Sequence, residues 1–137
     1  MTTINNNADD GNLLMQAMGD GRVIEYDAEN GRAVIEYTAR PEFCHSGGIV
    51  QGGYVTGWID SAMARAAIAS KNAEMNMATL ELKVSFLRAA TQKNKYRAEG
   101  WVVRSGRSVM FMEGRLTDLE GKLIATATAT GQWIPFR

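Results

Sequence analysis

The stretch that decides the fold reads HSGGIVQGGYVTGWIDSAMARAAIAS and covers residues 45–70. Apolar residues recur in it at intervals of three and four, which predicts one long helix over Tyr54–Ser70. The glycines before that helix let backbone N–H groups approach a ligand closely, with the positive end of the helix dipole behind them. Asp60 is the only acid of the predicted helix. The segment therefore predicts a site for a carbonyl or phosphate oxygen, with a carboxylate as base or nucleophile.

The segments on both sides of this helix are typical of β-strands. Before it, Arg22–Tyr26 and Arg32–Thr38 flank an Asn30-Gly31 pair, which is a strong hairpin signal. Four further strands are predicted after it from alternation and β-branched content: Thr79–Leu87, Lys95–Val103, Arg107–Asp118 and Lys122–Trp133. We expect an α+β fold in which an antiparallel sheet, ending in a four-stranded meander, packs one face against the long helix.

Length and composition indicate one domain. We place it at residues 20–137, after an N-terminal region (1–19) with a loosely attached tail (1–11) and a short helix near residues 12–18. The formal net charge is zero, which argues against a nucleic-acid partner. No apolar run approaches the roughly 18 residues that span a bilayer, and the first residues do not resemble a secretory signal. We expect a cytoplasmic protein with no membrane partner.

Reactive side chains are few. Cys44 and His45 are the only cysteine and histidine, so an internal disulfide is excluded. As neighbours in an extended segment these two side chains point in opposite directions, which argues against a catalytic pair. Together with scattered acids they lack the spacing of a metal site, and no metal is expected. The glycine pairs lack the order of a dinucleotide or P-loop turn, and no Gly-x-Ser-x-Gly elbow is present.

Residues 48–64, GIVQGGYVTGWIDSAMA, resemble the signature of the hotdog-fold acyl-CoA thioesterases of the phenylacetate-degradation type, in the 4-hydroxybenzoyl-CoA thioesterase superfamily. In that family a His-Gly-Gly triplet opens the central helix and an acid follows nine residues after the His, as Asp60 follows Gln51. Residues 106–109 and 121–127 are similar to the family's closing strands, so the resemblance covers residues 20–134. It implies a hotdog fold, with an antiparallel sheet of about five to six strands wrapped around one long helix.

The resemblance also implies roles for individual residues. Asp60 is implied to be the catalytic carboxylate, as general base for water or as nucleophile, and the Gly52 N–H to polarise the thioester carbonyl. His45 falls where the family often has a polar residue near the thioester. Thr79 falls where some members have a Ser or Thr that helps to orient water. Gln51 stands where the family usually has His, and it can donate a hydrogen bond but cannot titrate.

Three arginines at predicted strand ends, Arg88, Arg104 and Arg107, fall where family members commonly bind the phosphates of coenzyme A. The reaction that the resemblance implies is hydrolysis of an acyl-CoA thioester to the free acid and CoA, without a cofactor. It further implies a homodimer or homotetramer with active sites at the subunit interface, where Gly52 of one chain meets Asp60 of its partner. A sheet with unpaired edges is consistent with such an assembly.

Other interpretations stay open at this point. Without the resemblance, Asp60 is a solvated surface acid. A hydratase or dehydratase of the same fold usually carries a catalytic His in the helix region, and this helix has none. A non-catalytic acyl-CoA-binding or sensing module fits the replacement of His by Gln51. The methionines are expected to fill the core, while Met63, Met110 and Met112 are also candidates to line an acyl tunnel. The acyl group is not defined.

Overall fold

Two α-helices and eight β-strands follow one another in residues 6–136, which are the residues that the computed structural model describes. The helices are α1 (Asn6–Ala17) and α2 (Gly52–Ser70). The strands, in chain order, are β1 (Arg22–Asp27), β2 (Arg32–Thr38), β3 (Cys44–His45), β4 (Ile49–Val50), β5 (Asn76–Phe86), β6 (Lys95–Ser105), β7 (Val109–Asp118) and β8 (Leu123–Ile134). Every predicted helix and strand is present, with boundaries that differ by a few residues. Residues 1–5 of the expected tail (1–11) lie outside the described residues, and residues 6–11 belong to α1 instead.

Six strands form one antiparallel sheet in the order β1-β2-β6-β7-β8-β5, and β3 pairs with β4 in a separate ribbon. With the single long helix this confirms the predicted α+β hotdog architecture. Strands β6, β7 and β8 form a meander, but β5 pairs with β8 at the far edge, so the predicted four-stranded meander is wrong. The segment between β5 and β6 is held along the ribbon instead, where Val50 N–H donates to Ala90 O and Gln92 N–H to Gly48 O. The segment thus crosses from the edge strand β5 to the interior strand β6 while it is hydrogen-bonded to the ribbon.

Helix α2 packs against one face of this sheet at short distance. Two glycines make the close approach possible. At Gly100 a Cβ would overlap the backbone of Met63, and at Gly114 it would lie 2.7 Å from Ile59 Cγ2. The helix buries a face of apolar and small residues: Val55, Trp58, Ile59, Ala62, Met63, Ala66, Ala67 and Ala69. The core therefore lies between α2 and the sheet, and the partly covered flank of α2 faces the edge strand β5.

Helix α1 contacts α2 through Met15, whose Sδ accepts from Arg65 Nη2 over 3.1 Å. It begins at Asn6, six residues before the predicted start at residue 12. Trp58 Nε1 donates to Met18 O over 2.6 Å, just after the end of α1. Arg40, in the loop after β2, donates from Nη2 to Ala17 O over 3.1 Å and so satisfies a carbonyl of the last turn. Neither of the described helices is long and apolar enough to cross a membrane.

Candidate active site

The start of α2 is set by the β3–β4 ribbon and its glycine turn. Gly47 and Gly48 have φ angles of 76° and 72°, in the left-handed region that glycine adopts without strain. The turn brings Gln51 to the N-cap position, where its Oε1 accepts from Gly53 N–H over 2.7 Å. Gln51 N–H donates in turn to Phe43 O over 2.9 Å. The side chain that replaces the expected His is therefore a helix cap, a role that the sequence pattern did not indicate.

Gly52 is the first residue of α2 and lies against an aromatic ring. A Cβ at Gly52 would lie 3.2 Å from Phe86 Cζ, at the end of β5. The Gly52 N–H belongs to the first turn, so it has no acceptor within the helix, and Gln51 Oε1 is already engaged by Gly53 N–H. The positive end of the helix dipole adds to this N–H, which suits it to a developing negative charge. Phe86 was predicted only as a strand residue, since no local pattern indicates its contact with Gly52.

Asp60 and Thr79 are brought together from α2 and β5. The Thr79 hydroxyl donates to Asp60 Oδ1 over 2.8 Å, and both residues are half-buried. A carboxylate offers about four acceptor positions, so this bond orients Asp60 and leaves capacity for a water molecule. The two predicted site residues thus form a charged, oriented acceptor on the flank of α2 that faces the sheet edge.

The predicted site residues form two separate groups within one chain. Gly52 and Asp60 belong to the same helix, eight residues apart, which corresponds to about 12 Å. His45 lies in β3 with its side chain exposed, ahead of the helix start. Asp60 and Thr79 are thus joined by a hydrogen bond, while Gln51 and Gly52 lie at the start of the helix and His45 pairs with Ile49 in the ribbon before it.

The three predicted phosphate-binding arginines are also separated in one chain. Arg88 follows the end of β5 and donates from Nη1 to Leu123 O over 2.8 Å. Arg104 lies near the end of β6, and Arg107 lies in the turn after it; both are exposed. Through the register of β8 and β7, Phe86 at the end of β5 lies level with Ala98 of β6. Arg104 is six residues farther along β6, so the backbones of Arg88 and Arg104 are at least about 20 Å apart. One chain therefore does not bring Arg88 close to Arg104, whereas Arg104 and Arg107 lie three residues apart at the β6–β7 connection.

A buried hydrogen-bonded pair supports the helix turn that carries Asp60. Ser61 Oγ is 2.8 Å from the hydroxyl of Tyr37, which is fully buried and stacks on Trp58 with ring centroids 5.6 Å apart. Burial raises the pKa of Tyr37 above its ordinary value, although the hydrogen bond with Ser61 and the charge of Arg65 act in the opposite direction. The hydrogen bond and the ring stack thus join this turn of α2 to β2.

The other features of the described surface do not contain the predicted site residues. A cleft on the face of the sheet away from α2 is lined by Lys83, Trp101 and Arg115 among others, and none of the predicted site residues lines it. Within residues 6–136 no three His, Cys, Asp or Glu side chains lie together in a way that would hold a metal ion. Among the described residues, Asp60 and the glycine-rich start of α2 are thus the candidates for a catalytic role.

The wrapped central helix, with a glycine-rich start and an acid facing the edge strand, defines a hotdog-fold protein. Residues 47–125 match the family model of the thioesterase superfamily. A candidate esterase of Saccharolobus solfataricus is 38% identical over 109 residues, which are 80% of this chain and 75% of that protein. This chain belongs to the thioesterase superfamily.

Solved structures with the same fold agree with this assignment. A candidate thioesterase from Ralstonia eutropha, described as a phenylacetic acid degradation-related protein, is 33% identical, has a TM-score of 0.80 and covers 88% of this chain and 89% of its own. A hypothetical thioesterase protein from Streptococcus pneumoniae, solved with coenzyme A, is 20% identical, has a TM-score of 0.76 and covers 85% and 90%. The resemblance to thioesterases of the phenylacetate-degradation type is confirmed.

Proposed function

We propose that this protein hydrolyses an acyl-CoA thioester to the free acid and CoA, with Asp60 as general base. The observation that carries the proposal is the half-buried Asp60, oriented by the Thr79 hydroxyl at 2.8 Å. A thioester carbonyl is already activated, so one carboxylate and one oxyanion donor are sufficient. A general base contributes about 10²–10⁴-fold in rate, and an oxyanion donor contributes about 10²–10³-fold.

The active site is shared by two chains in this proposal. A thioester carbon held within about 3.5 Å of the attacking water beside Asp60 is out of reach of Gly52 N–H on the same helix, about 12 Å away. The oxyanion donor must therefore come from a second copy. Strand β5 is an edge of the six-stranded sheet, and an edge presents unpaired N–H and C=O groups to another strand.

The contacts of β5 support a particular pairing. Thr79, in the first half of β5, is hydrogen-bonded to Asp60. Phe86, the last residue of β5, lies against Gly52. Antiparallel pairing of two β5 strands about a twofold axis near Leu82 matches Thr79 with the partner's Phe86. Asp60 of one chain then lies beside the partner's Gly52, and two equivalent sites form at the interface.

The reaction in this two-chain site balances without a cofactor. Asp60 accepts a proton from water as the water oxygen attacks the thioester carbon. The carbonyl oxygen becomes an oxyanion and accepts from the partner's Gly52 N–H. Collapse of the tetrahedral intermediate breaks the C–S bond, and the proton held by Asp60 passes to sulfur, which gives the free acid and the CoA thiol. Thr79 keeps the carboxylate oriented throughout.

The same pairing gathers the arginines toward one site. The partner's Arg88 falls opposite Met77, which pairs with Trp133. Trp133 N–H donates to Ser108 O over 2.8 Å, next to Arg107. Three strand spacings, about 15 Å, then separate the partner's Arg88 from Arg107, which is a span suited to the separate phosphates of CoA. The CoA bound in the Streptococcus pneumoniae protein supports a CoA ester as ligand.

A thiol-release assay over short, long and aromatic acyl-CoAs tests this function. Wild-type protein is expected to release thiol from at least one substrate, and Asp60→Asn to lower turnover by about 10²-fold or more. Glu74→Gln is the matched control, because Glu74 is an exposed acid just beyond α2. Full activity of Asp60→Asn, or no thiol from any acyl-CoA with wild-type protein, would overturn the proposal.

A non-catalytic acyl-CoA-binding module is the second candidate, and Gln51 is the observation that favours it. The Gln51 side chain caps α2 through Gly53 N–H and carries no titratable proton. Calorimetric binding of acyl-CoA to wild-type protein, together with the absence of thiol release, would select this function over hydrolysis.

A further inference from the structure

Three methionine side chains meet at one place in the core, and a fourth, Met63 of α2, packs on the same sheet face at Gly114. Met63, Met110 and Met112 are at most 2% exposed, and Met77 is 8% exposed. Three of them converge on Gly131 of β8, where a Cβ would lie 2.5 Å from Met110 Sδ, 2.6 Å from Met77 Cε and 3.2 Å from Met112 Cε. The absence of a side chain at Gly131 thus provides the space that these thioether groups share. We refer to Met63, Met77, Met110 and Met112 as the methionine layer.

The methionine layer adjoins the acid of the proposed site. Met110, Gly131 and Thr79 form one row across β7, β8 and β5, because Met110 pairs with Gly131 and Gly131 pairs with Thr79. Met63 lies three residues after Asp60, on the next turn of α2 and on a neighbouring position of the helix surface. The row from Thr79 to Met110 is about 10 Å long. A chain that leaves the carboxylate toward the core therefore meets methionine side chains along this distance.

The chemistry of this layer differs from the rest of the core. On the opposite flank, Trp58 stacks on Tyr37 and Tyr96, with ring centroids 5.6 and 6.1 Å away. Such aromatic pairs contribute about 0.5–1.5 kcal/mol beyond their buried area, which would be lost if the rings moved apart. Methionine is unbranched, has three rotatable bonds and fills irregular spaces with little cost for a change of rotamer. An unbranched alkyl chain has nearly the same shape and polarity as the side chains it would displace.

We infer that the methionine layer is the acyl-binding region, that it accepts an unbranched aliphatic acyl chain by rearrangement of its thioether groups, and that Gly131 sets the space available. This inference rests on the proposed function, because it places the acyl chain on the core side of the Asp60 carboxylate. It assigns medium-length linear acyl groups as the substrate class. Branched and aromatic acyl groups are disfavoured because they need a wider opening than side-chain rotation provides.

Methyl NMR of wild-type protein labelled with ¹³C-methyl methionine tests the location directly. The probe is S-decyl-CoA, a thioether that cannot be hydrolysed, with S-methyl-CoA as the short comparison. S-decyl-CoA is expected to shift the methyl signals of the methionine layer, and S-methyl-CoA to leave them in place. Met15 and Met18 are internal controls, since Met15 contacts Arg65 and Met18 contacts Gly57 under α1.

Three results of this experiment overturn the inference. They are a lack of S-decyl-CoA binding, equal shifts of the methionine layer with both probes, and shifts that affect Met15 and Met18 as strongly as the layer. The experiment needs no variant and no turnover, so its outcome is separate from that of the thiol-release assay. A protein that hydrolyses acyl-CoA but shows no selective shift keeps the proposed function and loses the acyl-binding assignment.

Gly131→Ala tests the role of the shared space. Its methyl group would occupy the position 2.5 Å from Met110 Sδ, so kcat/KM for decanoyl-CoA is expected to fall about tenfold or more relative to acetyl-CoA. Gly106→Ala, in the exposed turn after β6, is the matched control and is expected to keep the wild-type ratio. An unchanged ratio in a folded Gly131→Ala protein overturns the role of Gly131. If this variant does not fold, the methyl spectra of the wild-type protein decide.

Discussion

The hydroxyl of Thr79 donates to Asp60 Oδ1 over 2.8 Å and thereby joins the edge strand β5 to the only acid of the central helix. This one bond orients the carboxylate and couples its position to the strand on which a second chain would pair. Hydrogen bonds to a charged group contribute about 1.5–3 kcal/mol, more than neutral ones. The bond therefore links the chemistry of the proposed site to its assembly.

Thr79→Val removes this hydroxyl while keeping the branched shape. We expect turnover of the best acyl-CoA substrate to fall about 10-fold to 100-fold, because the carboxylate loses a charge-assisted bond and its fixed orientation. Thr79→Ser retains the donor and is expected to stay within a few-fold of wild type. Steady-state thiol release measures both variants. Equal activity of the valine and serine proteins would contradict the orienting role.

Leu80→Lys places a charge on the exposed edge that we propose as the subunit contact. Leu80 is 56% exposed, and a lysine on an edge strand opposes the approach of a second edge. We expect a shift from dimer toward monomer, measured by light scattering, with a parallel loss of thioesterase activity. Leu119→Lys is the matched control, since Leu119 is 51% exposed in the turn after β7. An active monomer would exclude a site made from two chains.

Gly100→Ala tests the close packing of α2 on the sheet. A Cβ at Gly100 would overlap the backbone of Met63 and lie 2.6 Å from the carbonyl carbon of Ala62, and helix backbone cannot move aside as a flexible side chain can. We expect a loss of about 1–3 kcal/mol in the free energy of unfolding, measured by urea denaturation. Gly106→Ala, in an exposed turn, serves as the control. A wild-type midpoint for Gly100→Ala would show that the helix sits farther from β6.

Tyr37→Phe is expected to change how the free energy of unfolding depends on pH above about pH 9. Burial raises the pKa of Tyr37, so in wild-type protein the neutral phenol adds stability that is complete below the pKa of an unfolded tyrosine, near 10. That stability is lost as pH rises through the higher folded pKa, since the unfolded chain releases the proton first. The phenylalanine variant has no phenol to deprotonate at this position. The urea midpoint of its unfolding should therefore fall less than that of wild type between about pH 9 and pH 11. Identical pH slopes for the two proteins would contradict this linkage.

Local patterns were sufficient to predict the long helix and the six strands of the sheet. The three- and four-residue periodicity around Trp58 reports the face that α2 buries, and strand alternation does the same for the sheet. The start of α2 was predicted at Tyr54 and lies at Gly52, because the Gln51 cap and the ribbon extend the helix beyond its apolar pattern. The family resemblance names Asp60 and Thr79 as separate site residues, and their 2.8 Å hydrogen bond is a feature of the folded chain.

Long-range placement was not accessible in the same way. Arg88 and Arg104 both lie near strand ends. The strand order, which places these two ends far apart in the sheet, is not evident from the local sequence. Likewise no local pattern indicates that β5 pairs with β8 or that Phe86 lies on Gly52. Periodicity and propensity depend on neighbouring residues, so the helix, the strands and the position of Asp60 in the helix can be predicted from the sequence alone. Asp60 and the start of α2 lie along one edge strand, at Thr79 and Phe86, and this relation follows from sheet order and register, which appear only in the folded chain.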